Sequence, residues 1–289
     1  MRKLGADKRA MILSALVEGM SINGTARLAG ASKVTVLRLL ADAATFCSNY
    51  HDTNVRGLLT ARVEADEIWS FCGCKAATKA KGGEGHGDVW TWTAIDADSK
   101  LCISYLVADR GGAAARAFMG DLAGRVSLRI QLTTDAHRAC PGAVREAFAE
   151  IDYAQIHKQY ATERSGPARY SPPRCTGCFK RVVEGDPEME GASTSYVERS
   201  NLTFRMGSRR FTRLTSGFSK RLENHTHAVA LHFWWYNFGR KHKTLKTTPA
   251  VASGIASRAF SMVDLVAMIE EEEQRSGGRL TSYLPSPSK

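Results

Sequence analysis

The order of helical and strand-like patterns along the chain limits its fold more than any other feature. Residues 8–46 show the apolar spacing of helices. From about residue 60 the spacing changes to short β-rich segments separated by turn residues, at 62–71, 89–96 and 102–108. A small all-α part is therefore followed by a part that contains a sheet.

The segments after residue 108 alternate between helix and strand. They are a helix at 113–125, a strand at 129–134, a helix at 142–149 and a strand at 153–157. Three antiparallel strands followed by such alternation is the order of the RNase H-like α/β fold, and other α/β folds share parts of it. We predict an α/β chain with an RNase H-like catalytic domain over residues 60–255.

The second half of that domain contains an interruption and two long helical patterns. Residues 158–194, rich in Gly, Pro, Ser and charge, are predicted to form an insertion or mobile loop. Helical patterns follow at 195–210 and 219–240. Residues 256–289 are expected to form a C-terminal helix and a flexible tail.

The N-terminal part, residues 1–48, has the spacing of a helix-turn-helix DNA-binding domain. Ala26 is small enough for two helices to cross closely, and Gly30 can take the positive φ of a tight turn. Ser32 can cap the next helix. The alternative is an ordinary helical hairpin.

That helix would present polar side chains to a DNA major groove. We expect Lys33, Thr35 and Arg38 to face the groove and Ser32 to lie near a phosphate.

Basic charge is concentrated in two blocks of a chain whose formal net charge is +11. Residues 199–246 contain eleven Lys or Arg and one acid, and the first fifty residues contain seven against three. This is the electrostatic footprint of a polyanion-binding protein, although a solvated basic helical face is the alternative. DNA is the expected partner.

Three acidic residues stand at positions that an RNase H-like sheet brings together. Asp66 lies in the first strand, Asp135 follows the fourth, and Glu198 is in the first turn of the helix at 195–210. Neighbouring first and fourth strands would let the aspartates converge, and the helix would bring Glu198 to them. Carboxylates are the ligands that Mg²⁺ prefers, and two such ions can activate an attacking oxygen and stabilise the leaving one.

Each acid also has an ordinary structural interpretation. Asp66 could lie on the solvent face of its strand, Asp135 could serve in a turn or as a helix cap, and Glu198 could interact with the helix dipole. The joint placement of the three favours a metal site.

The sequence around these acids resembles the three carboxylate motifs of insertion-sequence transposases, most of all those of the insertion-sequence-one family. The matching stretches are Asp-Glu-Ile-Trp at 66–69, Leu-Thr-Thr-Asp at 132–135 and Tyr-Val-Glu-Arg-Ser-Asn-Leu at 196–202. The similarity covers about residues 60–255, including stretches at 210–215, 218–220, 223–225, 236–238, 242–245 and 248–250. Family members often carry a cysteine-rich zinc motif near the N-terminus, whereas no cysteine precedes Cys47.

The resemblance implies a DDE transposase in which Asp66, Asp135 and Glu198 are catalytic metal ligands for Mg²⁺ or Mn²⁺, with two ions. It implies cleavage and strand transfer at the terminal inverted repeats of an element, and a homo-oligomer on DNA. End recognition would rest on the helix-turn-helix or on a missing segment. The alternatives are a DDE-type nuclease without strand transfer and a DNA-binding regulator derived from an inactive transposase.

Further residues of the basic segment are expected to contact DNA. Asn201 and Arg205 share the helical face of Glu198 and could orient its carboxylate or meet a phosphate. Backbone phosphates are the expected partners of Arg209, Arg210, Arg213 and Lys220.

The cysteines and the absence of apolar runs bear on location. Cys72 and Cys74, with Cys175 and Cys178, form a poor zinc set, so we expect free thiols rather than Zn²⁺. No apolar run approaches the roughly 20 residues that span a bilayer. We expect a reduced, cytoplasmic protein with no membrane partner.

Overall fold

The computed structural model describes residues 4–76, 85–161, 175–211 and 216–280. The helices are α1 (Ala6–Val17), α2 (Ile22–Leu28), α3 (Lys33–Asn54), α4 (Gly112–Ala123), α5 (Cys140–Ala147), α6 (Ser195–Gly207), α7 (Leu222–Trp234), α8 (Pro249–Ala252) and α9 (Met262–Arg275). The strands are β1 (Arg62–Cys72), β2 (Gly87–Asp96), β3 (Cys102–Ala108), β4 (Gln131–Asp135), β5 (Asp152–Tyr160) and β6 (Cys175–Glu184).

The strands form one mixed sheet in the order β3-β2-β1-β4-β5-β6. β1, β2 and β3 are antiparallel neighbours, whereas β4 runs parallel to both β1 and β5. The predicted α/β class is confirmed.

Helices cover both faces of the sheet because β1 has apolar side chains on each face. Val63 and Ala65 pack in one hydrophobic cluster with Phe118 of α4. On the opposite face, Ile68 packs in a second cluster that includes Val197 of α6. The first two turns of α6 are therefore fixed against β1.

The three N-terminal helices form with the caps that the sequence indicates. Gly19 ends α1 with φ +79°, and Gly30 takes φ +52° between α2 and α3. The Ser32 hydroxyl caps α3 by accepting the Thr35 N–H at 3.1 Å.

These helices are not packed as a separate body. α3 continues past residue 48, to Asn54, and packs along α7, while α1 packs on α9. Leu13 and Leu40 belong to the same hydrophobic cluster as the sheet residues Val63 and Leu132. The apolar face of α3 extends beyond the expected boundary, which is why the helix does too.

The segment 158–194 differs from the expected loop. β5 continues to Tyr160, and β6 pairs with it antiparallel at the sheet edge. Most residues of β6 are exposed, so the strand lacks the apolar alternation by which strands are recognised in a sequence. Residues 162–174 lie outside the described part.

The two long helical patterns after this segment are shorter than expected. α6 ends at Gly207 and is followed by a 3₁₀ turn at Arg209–Phe211. α7 begins at Leu222 and passes into a π-helical turn at Trp235–Gly239. The expected tail lies mostly beyond residue 280, outside the described residues.

Across the described ranges, no helix combines the length and apolarity that crossing a membrane requires.

Candidate active site

Two neighbouring parallel strands place Asp66 and Asp135 side by side. The register pairs Ala65 of β1 with Thr134 of β4, so the next residue on each strand is an aspartate on the same face. Asp135 is the last residue of β4 rather than the first after it. Carboxylate oxygens of both aspartates, together with one of Glu67, lie within 4.8 Å of one another. The expected convergence of the two aspartates is confirmed.

Asp66 is oriented by a residue of α6. The Asn201 amide donates a hydrogen bond to Asp66 Oδ2 at 2.8 Å. Burial raises the pKa of Asp66 to about 6, and the nearby charge of Asp135 acts in the same direction. Asn201 is itself buried, and the carboxylate that its amide orients is that of Asp66 rather than the expected one of Glu198.

Glu67 joins the aspartates, although alternation along β1 puts it on the opposite face. Because β4 ends at Asp135, it no longer lies beside β1 at Glu67. The Glu67 carboxylate can therefore reach the aspartates past the end of β4. Arg110 donates to Glu67 Oε2 through Nε at 3.3 Å and Nη2 at 3.1 Å. Burial, together with the charges of Asp135 and Asp66, raises the pKa of Glu67 to about 8. From the sequence, Glu67 is interpreted as a structural residue, because it alternates with Asp66 along the strand.

Glu67 also lies within 4.8 Å of donor atoms of His137 and Cys140. The His137 N–H donates to Asp135 Oδ1 at 3.3 Å, which fixes the backbone after β4. Burial raises the pKa of the Cys140 thiol, and Arg110 already neutralises Glu67. Glu67, His137 and Cys140 therefore form a second group of side chains that shares Glu67 with the carboxylate cluster.

A buried carboxylate on β1 anchors the helix that carries Glu198. Glu64 Oε2 accepts the backbone N–H groups of Tyr196 at 2.7 Å and Val197 at 3.0 Å. These are otherwise unsatisfied donors of the first turn of α6, where an acid is also favoured by the helix dipole. Burial raises the pKa of Glu64. Glu64 thus ties α6 to the strand that bears Asp66.

Glu198 enters the same cleft but does not join the carboxylate cluster. Its Oε1 accepts from Thr194 Oγ1 at 2.6 Å and forms an ion pair with the Lys158 ammonium. Among the described residues, the cluster within 4.8 Å comprises Asp66, Glu67 and Asp135, without Glu198. Asp66, Asp135 and Glu198 nevertheless line one open cleft of about 600 Å³.

The residues expected to meet a DNA groove lie at the N-terminal end of α3. Ser32, Lys33 and Arg38 are exposed, and Thr35 is half-buried. The Ser32 hydroxyl is already engaged with the Thr35 N–H and lies 2.8 Å from Thr35 Oγ1. A phosphate would have to compete with this cap.

The basic segment that begins within α6 contains both exposed and half-buried residues. Arg209 and Lys220 are exposed, and Lys220 Nζ lies 3.2 Å from the ring centroid of Phe218. Arg205 is half-buried. Arg213 lies outside the described residues.

Arg210, another expected phosphate contact, is engaged by side chains of the protein. Its guanidinium donates to Ser219 Oγ at 3.0 Å, and Ser219 in turn pairs with His225 Nδ1 at 2.9 Å. Burial lowers the pKa of Arg210 to about 10. The residue belongs to a buried polar chain that links the 3₁₀ turn to α7.

The four cysteines considered for zinc occupy different environments. Cys72 is buried at the end of β1 and Cys74 is half-buried, while Cys175 and Cys178 are exposed on β6. In the part of the chain that the structure describes, no cluster of potential metal ligands includes any of them.

Comparison with protein-family models finds no family that matches the chain, and a search of curated proteins finds no matching relative.

Proposed function

We propose that the chain is a DDE transposase that cleaves and transfers DNA strands at the ends of an insertion sequence. The observation that carries the proposal is the meeting of Asp66 and Asp135 on adjacent parallel strands, with Glu198 in the same cleft on a helix anchored to β1. The sequence resemblance to insertion-sequence transposases rests on the same three acids.

The sheet supports an RNase H-like assignment of the catalytic part. Its first five strands have the order β3-β2-β1-β4-β5, with β4 and β5 parallel to β1. The three N-terminal helices, with the Gly30 turn and the Ser32 cap, support a helix-turn-helix.

The chemistry of the cleft fits divalent cations. Three carboxylates within 4.8 Å repel one another, and the raised pKa values of Asp66 and Glu67 express that repulsion as well as burial. Asp66, Asp135 and Glu198 would hold Mg²⁺ or Mn²⁺, as two ions. Bound there, the cations would neutralise phosphate charge and activate the attacking oxygen.

The residues of the chain supply positioning for this reaction. Asn201 holds the carboxylate of Asp66, and Glu64 holds the helix of Glu198. In-line attack at phosphorus depends on such positioning and on charge stabilisation rather than on a covalent nucleophile.

DNA is the proposed partner, both as element ends and as target. The exposed cations Lys33, Arg38, Arg209 and Lys220 would contact backbone phosphates or a groove. Two ends require two active sites, so we propose a homo-oligomer on DNA.

A strand-transfer assay tests the proposal. Duplexes carrying the DNA that flanks the gene, with pre-cut 3′ ends, are incubated with supercoiled plasmid and Mg²⁺. The wild type is expected to join the ends to the plasmid, and Asp135→Asn to lose joining by about 10³-fold or more. The matched control is Asp186→Asn, an exposed aspartate beyond the far end of β6.

The products separate the alternatives. Hydrolysis without joining would identify a DDE-type nuclease. DNA binding with no Mg²⁺-dependent product would contradict an enzyme and favour a regulator.

A further inference from the structure

Lys158 is a cation placed inside the carboxylate cleft. It lies near the end of β5, and its Nζ pairs with Glu198 Oε1 and lies 3.2 Å from Thr194 Oγ1. Its side chain is 26% exposed and lines the cleft together with Asp66 and Asp135. Nothing in the sequence pattern singled it out.

Arg110 also lines the cleft, as does Arg138, and Arg110 is held differently from Lys158. Arg110 makes two hydrogen bonds to Glu67 and lies over the ring of Trp90, 4.5 Å from its centroid. Its nearest carboxylate is therefore that of Glu67, at 3.1 Å, while Asp135 Oδ2 lies 3.7 Å from Arg110 Nη2. Lys158 instead pairs with Glu198, whose side chain is 46% exposed.

The pairing of Lys158 conflicts with a cation-binding role for Glu198. The oxygen of Glu198 that Lys158 and Thr194 hold lies outside the 4.8 Å carboxylate cluster. To share a divalent cation with the aspartates, Glu198 must turn toward them. An ammonium beside that cation would then be repelled, because like charges in a cleft screened less than bulk water repel strongly at short range.

We propose that Lys158 is a catalytic residue that changes partner. Before divalent cations bind, its ammonium neutralises Glu198; once they bind, it donates to a non-bridging oxygen of the DNA phosphate held at the aspartates. The proposal rests on the proposed function, because the new partner of the released ammonium is a DNA phosphate held in this cleft.

DNA binding measured with and without a divalent cation tests the change of partner. The affinity for a flanking-DNA duplex is followed against KCl concentration, in CaCl₂ and in EDTA, for wild type and Lys158→Ala. One lost phosphate contact lowers the slope of log affinity against log salt by about 1. We expect that difference between the proteins in CaCl₂ and none in EDTA. An equal difference in both buffers, or none in CaCl₂, would overturn the proposal.

Two further readouts separate this role from a structural one. Without DNA, Lys158→Ala should bind Mn²⁺ up to about fivefold more tightly by calorimetry, because a competitor for Glu198 is gone. At saturating Mg²⁺ the same variant should join DNA about 10²-fold more slowly. A folding defect would weaken Mn²⁺ binding and also slow DNA joining. Tighter Mn²⁺ binding together with slower joining therefore excludes a folding defect.

Two variants complete the design. Lys158→Arg keeps the charge and should retain more of the joining rate than Lys158→Ala. Arg129→Ala removes an exposed cation that pairs with Asp152 at the opposite end of the sheet, and should change neither readout. If the wild type joins DNA and Lys158→Ala joins it equally fast at saturating Mg²⁺, only this proposal fails. If the wild type shows no Mg²⁺-dependent reaction, the proposed function fails and this proposal with it.

Discussion

The carboxylate of Asp66 lowers the stability of the protein in the absence of a cation. Its pKa in the folded protein is about 6, against an ordinary value of 3.8. A raised acid pKa means that ionisation is less favourable in the folded than in the unfolded chain, so stability is lost as pH rises from about 4 through 6. The cost above pH 6 is about 3 kcal/mol, since each pKa unit corresponds to about 1.4 kcal/mol.

We therefore expect Asp66→Asn to stabilise the protein while abolishing the proposed strand transfer. In EDTA at pH 7.5 the free energy of unfolding in urea should rise by about 2–3 kcal/mol, and the gain should shrink as pH falls toward 4. An asparagine oxygen can still accept from Asn201, so the local geometry is kept. A gain that does not vary with pH, or a loss at pH 7.5, would contradict this explanation.

Single residues mark where reasoning from the sequence succeeds and where it stops. Asp66 and Asp135 were predictable because strand order alone brings them together. The roles of Glu64, Glu67 and Lys158 were not predictable, because they depend on partners 36 to 133 residues away in the chain. That of Glu67 depends also on where β4 ends.

At the scale of elements, the anchoring of α6 on β1 delivers Glu198 to the cleft. Two backbone N–H groups of α6 meet one oxygen of Glu64, and replacing that acceptor leaves both unsatisfied. We expect Glu64→Ala to cost about 1–2 kcal/mol of stability, as for the loss of a helix cap. It should lower the joining rate at saturating Mg²⁺ by at least tenfold, because Glu198 moves with the helix.

Glu64→Gln is the matched variant. Its single amide oxygen can accept both N–H groups, so the position of α6 is kept although the charge is lost. Its free energy of unfolding in urea and its joining rate should both be close to those of the wild type. If Glu64→Gln is as slow as Glu64→Ala, charge rather than helix position is what matters.

The elements also differ in how far the sequence predicted them. α1–α3 were predictable because Gly19, Gly30 and Ser32 give local turn and cap signals. β6 was missed because an edge strand exposed on both sides has no apolar alternation. The extension of α3 was missed because its apolar face is completed by α7, far along the chain.

At the scale of the whole molecule, the N-terminal helices and the sheet share one hydrophobic core. Arg9 of α1 is almost fully buried and donates to Glu270 of α9 at 2.7 Å. Arg279 pairs with Asp42 of α3 at 2.6 Å. The two ends of the chain are thus tied together across the helical layer.

This sharing predicts a single cooperative unfolding transition. Domains with separate cores unfold separately, whereas a continuous core makes loss of one part expose the other. Differential scanning calorimetry in EDTA should give one transition whose calorimetric and van 't Hoff enthalpies agree. Two resolved transitions would show that residues 4–54 form an independent unit.

The central claim is that Asp66, Asp135 and Glu198 act as one unit on DNA. Its most direct test is the Mg²⁺-dependent joining rate of Asp66→Asn, Asp135→Asn, Glu198→Gln and the triple variant. Residues that act as a unit are strongly non-additive, so each single change should cost about 10³-fold or more and the triple change no more than the worst single one. A Glu198→Gln protein that joins DNA at the wild-type rate would contradict the claim.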